Sequence, residues 1–170
     1  TGRITPRPPV NDWAREQELD TCFVVMHSGN VGHAQDVEVL VRAATFVRDL
    51  DDVKIVVIGS GARLAAAVEL AERLEVDNVR FLPYQPREVL SESLSTGRLH
   101  FLGLSKGLSG FVVPSRAYGV LSAGRPLLVS ADPECETVRM VETAGCGVVV
   151  PPGRPELVAG VIRDAYEGRF

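Results

Sequence analysis

Phe23-Val24-Val25-Met26-His27-Ser28-Gly29-Asn30-Val31-Gly32 and Val53-Lys54-Ile55-Val56-Val57-Ile58-Gly59-Ser60-Gly61 follow the same plan. Each is a largely apolar run of strand length ending in a glycine-bearing turn. Between them Val37, Leu40, Val41, Ala44 and Val47 recur at helical spacing until Asp51-Asp52 breaks the pattern. Strands this apolar, without alternation, belong to a parallel sheet covered by helices on both faces.

The alternation continues outward from this unit. Residues 63–74 predict a helix, 79–83 a short strand, 87–94 a short helix after Pro86, and 99–102 a fourth strand. A helix over 114–123, strands over 127–129 and 147–150, and helices over 137–142 and 156–166 complete the chain. Such strand–helix pairs with right-handed crossovers make a doubly wound, parallel six-stranded sheet, a Rossmann-like three-layer α/β/α domain. The turns bearing Gly29 and Gly32, Gly59 and Gly61, and Gly107 and Gly110 all follow strands, so they gather on the carboxyl edge, where such sheets bind ligands. Residues 1–20, proline-rich and then short and charged, read as a linker ahead of a domain over 21–170. A linker in that position predicts that the chain is a piece of something longer.

At 170 residues the chain has room for one sizeable core. A net charge of −4 supplies no basic field for nucleic acid or an anionic membrane surface. No apolar run approaches membrane-spanning length, and no signal-peptide pattern opens the chain. Cys22, Cys135 and Cys146 are odd in number and lack metal spacing, which predicts unpaired thiols in a cytoplasmic protein.

The candidate chemistry centres on Leu104 to Pro126. Lys106 stands in a glycine-bearing loop, a helix begins at Pro114-Ser115 with Arg116 in its first turn, and Gly124-Arg125-Pro126 ends it. Loop amides, a helix N-terminus and two cations suit an anion, above all a phosphate or diphosphate. Gly59-Ser60-Gly61-Ala62-Arg63-Leu64 lacks the third glycine of a dinucleotide fingerprint and has no acidic residue at ribose distance. It reads as a tight strand-to-helix turn. No phosphate-binding Gly-x-x-x-x-Gly-Lys loop and no Gly-x-Ser-x-Gly elbow is present. His27 and His100 read as packing residues. His33, at a helix start on the ligand edge, is either solvated or a donor to phosphate. No metal cage is predicted.

The ordered set of Phe23 through Gly32, Phe81-Leu82-Pro83, Gly107 through Arg116, Gly124-Arg125-Pro126, Cys135-Glu136 through Gly147 and Pro151-Pro152-Gly153 resembles the carboxyl-terminal half of a GT-B glycosyltransferase. The group is the large retaining one, group 1, that includes glycogen synthase-like enzymes. Within it, Ser28-Gly29-Asn30 and Pro114-Ser115-Arg116 are similar to enzymes of exopolysaccharide biosynthesis. The resemblance implies a donor-binding domain that takes a UDP- or GDP-sugar as substrate and needs no further cofactor. The amino-terminal, acceptor-binding domain would be missing, so this piece alone would be inactive. The acceptor would be a saccharide or a lipid-linked one, with the full-length enzyme cytoplasmic or peripheral at the inner face of a membrane. Gly29, Asn30, Gly32, His33, Gly59, Ser109, Gly110, Phe111, Val112 and Ser115 would line the donor, the Leu82 backbone would receive the base, and Lys106 and Arg116 would offset charge on the leaving diphosphate.

The chain departs from the family at two points. Where the family has an arginine and a lysine after the first turn, this chain has His33 and Glu38. Where it has a pair of glutamates, this chain has Gly119 and, at the other, Phe111 or Ser109. The departures raise an alternative, a non-catalytic nucleotide-recognition module. A sugar-nucleotide epimerase of the same architecture is a third reading that lacks an evident proton-shuttling site.

Overall fold

A computed structural model of the chain describes residues 3–108 and 115–170. The strands are β1 (Phe23–Ser28), β2 (Val53–Ile58), β3 (Val79–Leu82), β4 (Gly97–Gly103), β5 (Leu127–Ser130) and β6 (Gly147–Val150). The helices are α1 (Asp12–Glu16), α2 (Val37–Ala43), α3 (Leu64–Arg73), α4 (Leu90–Thr96), α5 (Ser115–Ser122), α6 (Glu136–Ala144) and α7 (Pro155–Tyr166). The strands form one sheet of order β3-β2-β1-β4-β5-β6, every pair parallel. This is the doubly wound sheet expected, and its order reverses between β1 and β4, the switch point of such folds.

Period-two alternation within the buried strands sorts the core into two faces. Val25, Ile55, Val57, Leu99 and Phe101 pack with α2, α3 and α7 on one side. Val24, Met26, Val56 and Ile58 pack with Trp13 and Leu19 on the other, where α5 and α6 cover Leu127 and Val129. Two helices are shorter than their apolar spacing suggests, because 3-10 turns over Ala44–Val47 and Arg87–Val89 take up residues at the end of α2 and the start of α4.

The opening segment differs from the expected linker. Asn11 caps α1, its side-chain oxygen accepting from the Ala14 amide at 2.9 Å, and its amide nitrogen donates to the Pro8 and Glu92 carbonyls. Trp13 is only 2% exposed and donates from Nε1 to Gln85 Oε1 at 2.8 Å. The Thr5 and Arg7 amides donate to Ser91 and Ser95, so residues 3–16 lie along α4. Domain packing therefore begins well before residue 21. The charged residues around Trp13 concealed this, because a helix this short shows too few positions for an apolar stripe. Cys135 is buried and Cys22 and Cys146 are half-buried, all three as free thiols.

Trp13→Ala removes a fully enclosed ring and is expected to lower unfolding free energy by about 3–5 kcal/mol. Trp13→Phe, which keeps most of the volume but strands Gln85, should lose about 1–3 kcal/mol. Denaturant titration followed by circular dichroism separates the two values; equal stability of Trp13→Ala and the parent chain would contradict the packing.

Candidate functional site

The first two turns are joined backbone to backbone. Gly29 donates to the Ile58 carbonyl at 2.8 Å, Val31 to Ser60 at 2.9 Å, Arg63 to Val31 at 2.9 Å and Gly59 to Leu82 at 3.0 Å. Gly59 has φ +146°, and a Cβ there would fall 1.9 Å from the Gly29 carbonyl oxygen. Only glycine allows this approach. The Gly59 turn is thus the tight connection expected of it, and its role is to hold the Gly29 turn in place. The Leu82 carbonyl is engaged by the same network.

The loop after β4 is fastened to both neighbours. Leu104 donates to Ser130 at 2.8 Å, Ser105 donates to Ala34 from its amide and to the His33 carbonyl from its hydroxyl, and Gly107 donates to Asp132 at 2.8 Å. Lys106 is exposed at the crest of this turn. Ser109, Gly110, Phe111 and Val112 lie outside the described residues. Ser115 is exposed at the first turn of α5.

Arg116 enters from α5 and crosses the end of β1. Its Nη1 and Cδ both stand 3.2 Å from where a Gly29 Cβ would be, and its Nη1 lies 3.1 Å from His27 Nε2. Burial holds the Arg116 guanidinium down to about 10, still cationic at neutral pH, against an opposing effect from the nearby Tyr84 phenol. Burial, and then the Arg116 charge, push His27 down to about 3. His100, whose Nε2 lies 2.8 Å from the Leu94 carbonyl, is pushed down to about 4 by burial. Both histidines are therefore neutral core residues, as expected, but His27 also touches the predicted cation.

Beside the first turn a polar cavity of about 200 Å³ is lined by Gly32, His33, Asp36, Glu38, Arg63 and Ser105. Glu38 is ion-paired with Arg63 from the start of α3. Burial and the neighbouring Glu38 raise Asp36. The Gly32 amide donates to Gln35 Oε1 at 3.0 Å, and Asn30 Nδ2 donates to the same oxygen at 3.3 Å. His33 is exposed, held through its carbonyl. Gly119 faces Ile4 and Leu94, with a Cβ placed 3.3 Å from Ile4 Cδ1, so a side chain there would start out against apolar packing.

The structure thus brings Gly29, Asn30, Gly32, His33 and Arg116 to one region and adds His27, Arg63 and Tyr84. Tyr84 is 57% exposed, with its hydroxyl 3.5 Å from the Ser60 carbonyl. In the sequence, Arg63 directly after the Gly59 turn was the available signal for a second cation; His27 had none, since its partner is 89 residues away. Among the described residues no three His, Cys, Asp or Glu side chains gather as a metal cage.

Gly59→Ala is expected to lower stability by at least about 1–3 kcal/mol from backbone strain, with Gly29 displaced, as read by thermal unfolding. A pH series checks the two histidines. Unfolding frees them to titrate near 6.5, above their folded values of about 3 and 4, so the unfolded chain binds more protons between these limits. Stability from this source is present above pH 6.5 and is lost as pH falls toward 3, by up to about 1.4 kcal/mol per pH unit per histidine. A flat stability profile between pH 6.5 and 4 would contradict the burial.

Comparison with known proteins follows the same lines. The family model of glycosyl transferases group 1 matches residues 11–169. The putative colanic acid biosynthesis glycosyl transferase WcaI of Escherichia coli is 28% identical over 147 residues, 86% of this chain but only 36% of that protein. Anabaena HepE, solved with UDP-glucose, superposes with a TM-score of 0.79 at 16% identity over 97% of this chain and 45% of its own. The carboxyl-terminal domain of the group 1 protein LpcC from Francisella tularensis superposes with a TM-score of 0.77 at 13% identity, over 97% of this chain and 86% of its own. The chain therefore spans less than half of WcaI and of HepE and most of an isolated carboxyl-terminal domain. With the family model covering all but its first ten residues and its last, the chain belongs to the glycosyl transferases group 1.

Proposed function

We propose that this chain is the donor-binding half of a hexosyltransferase, holding a UDP- or GDP-sugar while the rest of the protein presents a saccharide or lipid-linked acceptor. The observation that carries the reading is Arg116 lying over Gly29 at the end of β1. That places a guanidinium beside the β1/β4 switch, at the carboxyl edge where sheets of this order take ligands. The setting suits a leaving diphosphate, whose developing charge a preorganised cation stabilises. Lys106, exposed in the loop after β4, is the second cation of this reading, with Ser115 following in sequence at the first turn of α5. HepE, a protein of the same fold, has been crystallised with UDP-glucose, which supports a sugar nucleotide as the ligand. No separate cofactor or metal enters this scheme. The working location is the cytoplasm or the inner face of a membrane; among the described residues no helix is long and apolar enough to span one.

Gly119 and the ion-paired Glu38 favour one alternative, a module that recognises nucleotide without catalysing transfer. Transfer activity in the full-length protein distinguishes the two.

Titration calorimetry with UDP, GDP and uridine tests the binding claim. Arg116→Ala should weaken UDP or GDP binding roughly 10- to 100-fold, the loss of a charged hydrogen bond, with little change for uridine. No binding of UDP or GDP to the folded chain at millimolar concentration would overturn the donor-site reading.

A further inference from the structure

His27 Nε2 faces two described neighbours that make opposite demands, and the Gly29 backbone is a further hydrogen-bond acceptor beside the same ring. The Asn30 carbonyl oxygen lies 3.1 Å away and requires a proton on Nε2. Arg116 Nη1 also lies 3.1 Å away and, being a donor, requires the Nε2 lone pair. Among the described residues, buried Nδ1 has no hydrogen-bond partner. A neutral imidazole satisfies one neighbour and leaves the other facing it unmatched.

We propose that His27 is a positioning residue that latches Arg116 over Gly29 and releases it to an arriving diphosphate. This rests on the donor-site reading above. With Arg116 over Gly29 the proton sits on Nδ1, and Nε2 accepts from the guanidinium. When a diphosphate draws Arg116 away, the lone pair loses its donor. The ring then leaves one proton from Nδ1 to solvent and takes one on Nε2, with no net change. Nε2–H now donates to the Asn30 carbonyl and secures the turn that carries Gly29 and Gly32. The unmatched groups of the empty state, a buried Nδ1–H and the Asn30 carbonyl, reduce to a bare Nδ1, which is the less demanding one to leave unpaired. Capture of the anion and stiffening of the turn are thereby one event.

Long-range proton–nitrogen NMR of the labelled chain reads the tautomer of each histidine directly, with His27 assigned through His27→Asn. The expected result is His27 Nε2 unprotonated without ligand and protonated at saturating UDP or inorganic pyrophosphate. Arg116→Met should shift Nε2 to the protonated range with no ligand present, and Arg116→Lys, which keeps a donor, should restore the unprotonated signal. An Nε2 already protonated in the empty parent chain overturns the latch, as does a tautomer unchanged while calorimetry shows UDP bound. Absence of UDP and pyrophosphate binding removes the donor-site reading and the trigger with it. In that case the Arg116→Met spectrum still decides whether Arg116 sets the tautomer. The parent-chain measurements stand if either variant fails to fold.

Discussion

The Gly29 carbonyl and the Gly59 α-carbon approach so closely that a methyl group at Gly59 would sit 1.9 Å from the oxygen. That approach fixes the rest of the carboxyl edge. It locks the turn after β1 to the turn after β2, sets the Asn30 carbonyl over the end of β1, and leaves a bare glycine surface on which Arg116 rests. A side chain at either glycine would separate the turns or lift the guanidinium. The sheet supplies a rigid base, since its central strands are buried on both faces, but the glycine contact decides where Arg116 rests.

The two expectations about basic residues meet different surroundings. Lys106 is exposed, at a turn pinned through Ser105 and Gly107 to the flanking loops. Arg116 is drawn in against a neutral imidazole that is itself kept uncharged by burial and by the arginine. An imidazolium there would repel the guanidinium, so the low His27 value and the resting position of Arg116 support each other. At the neighbouring cavity Glu38 and Arg63 neutralise one another, and the half-buried Asp36 adds a carboxyl whose ionisation its surroundings disfavour.

The fold was legible because its signal is local. Apolar runs bounded by glycine turns at Phe23, Val53 and Leu127 identify strands within a few residues, and a repeated strand–helix order admits few topologies. Arg116 and the first-turn glycines were legible as ligand-edge residues for the same reason: each directly follows a strand or opens a helix. What the sequence concealed depends on distance. His27 meets Arg116 across 89 residues, Trp13 meets Gln85 across 72 and Arg63 meets Glu38 across 25, and no spacing rule links such pairs. Trp13 was further masked by charged neighbours that suggested a linker. Gly119 stands in the sequence only as a missing glutamate, whereas its fit against Ile4 and Leu94 depends on the N-terminal segment being in position.

The Gly32 amide is engaged by the chain's own Gln35 side chain. In the proposed donor site an incoming oxygen would find this donor already in use and would have to exchange with a neutral amide oxygen tethered three residues away. Such an internal rival is always present at high local concentration, so it filters ligands by strength. A lone weak acceptor gains little by the exchange, while an anion engaging several groups at once gains at each of them. On that proposal, selectivity against common small solutes would follow from what the turn already holds, without any steric barrier at its mouth.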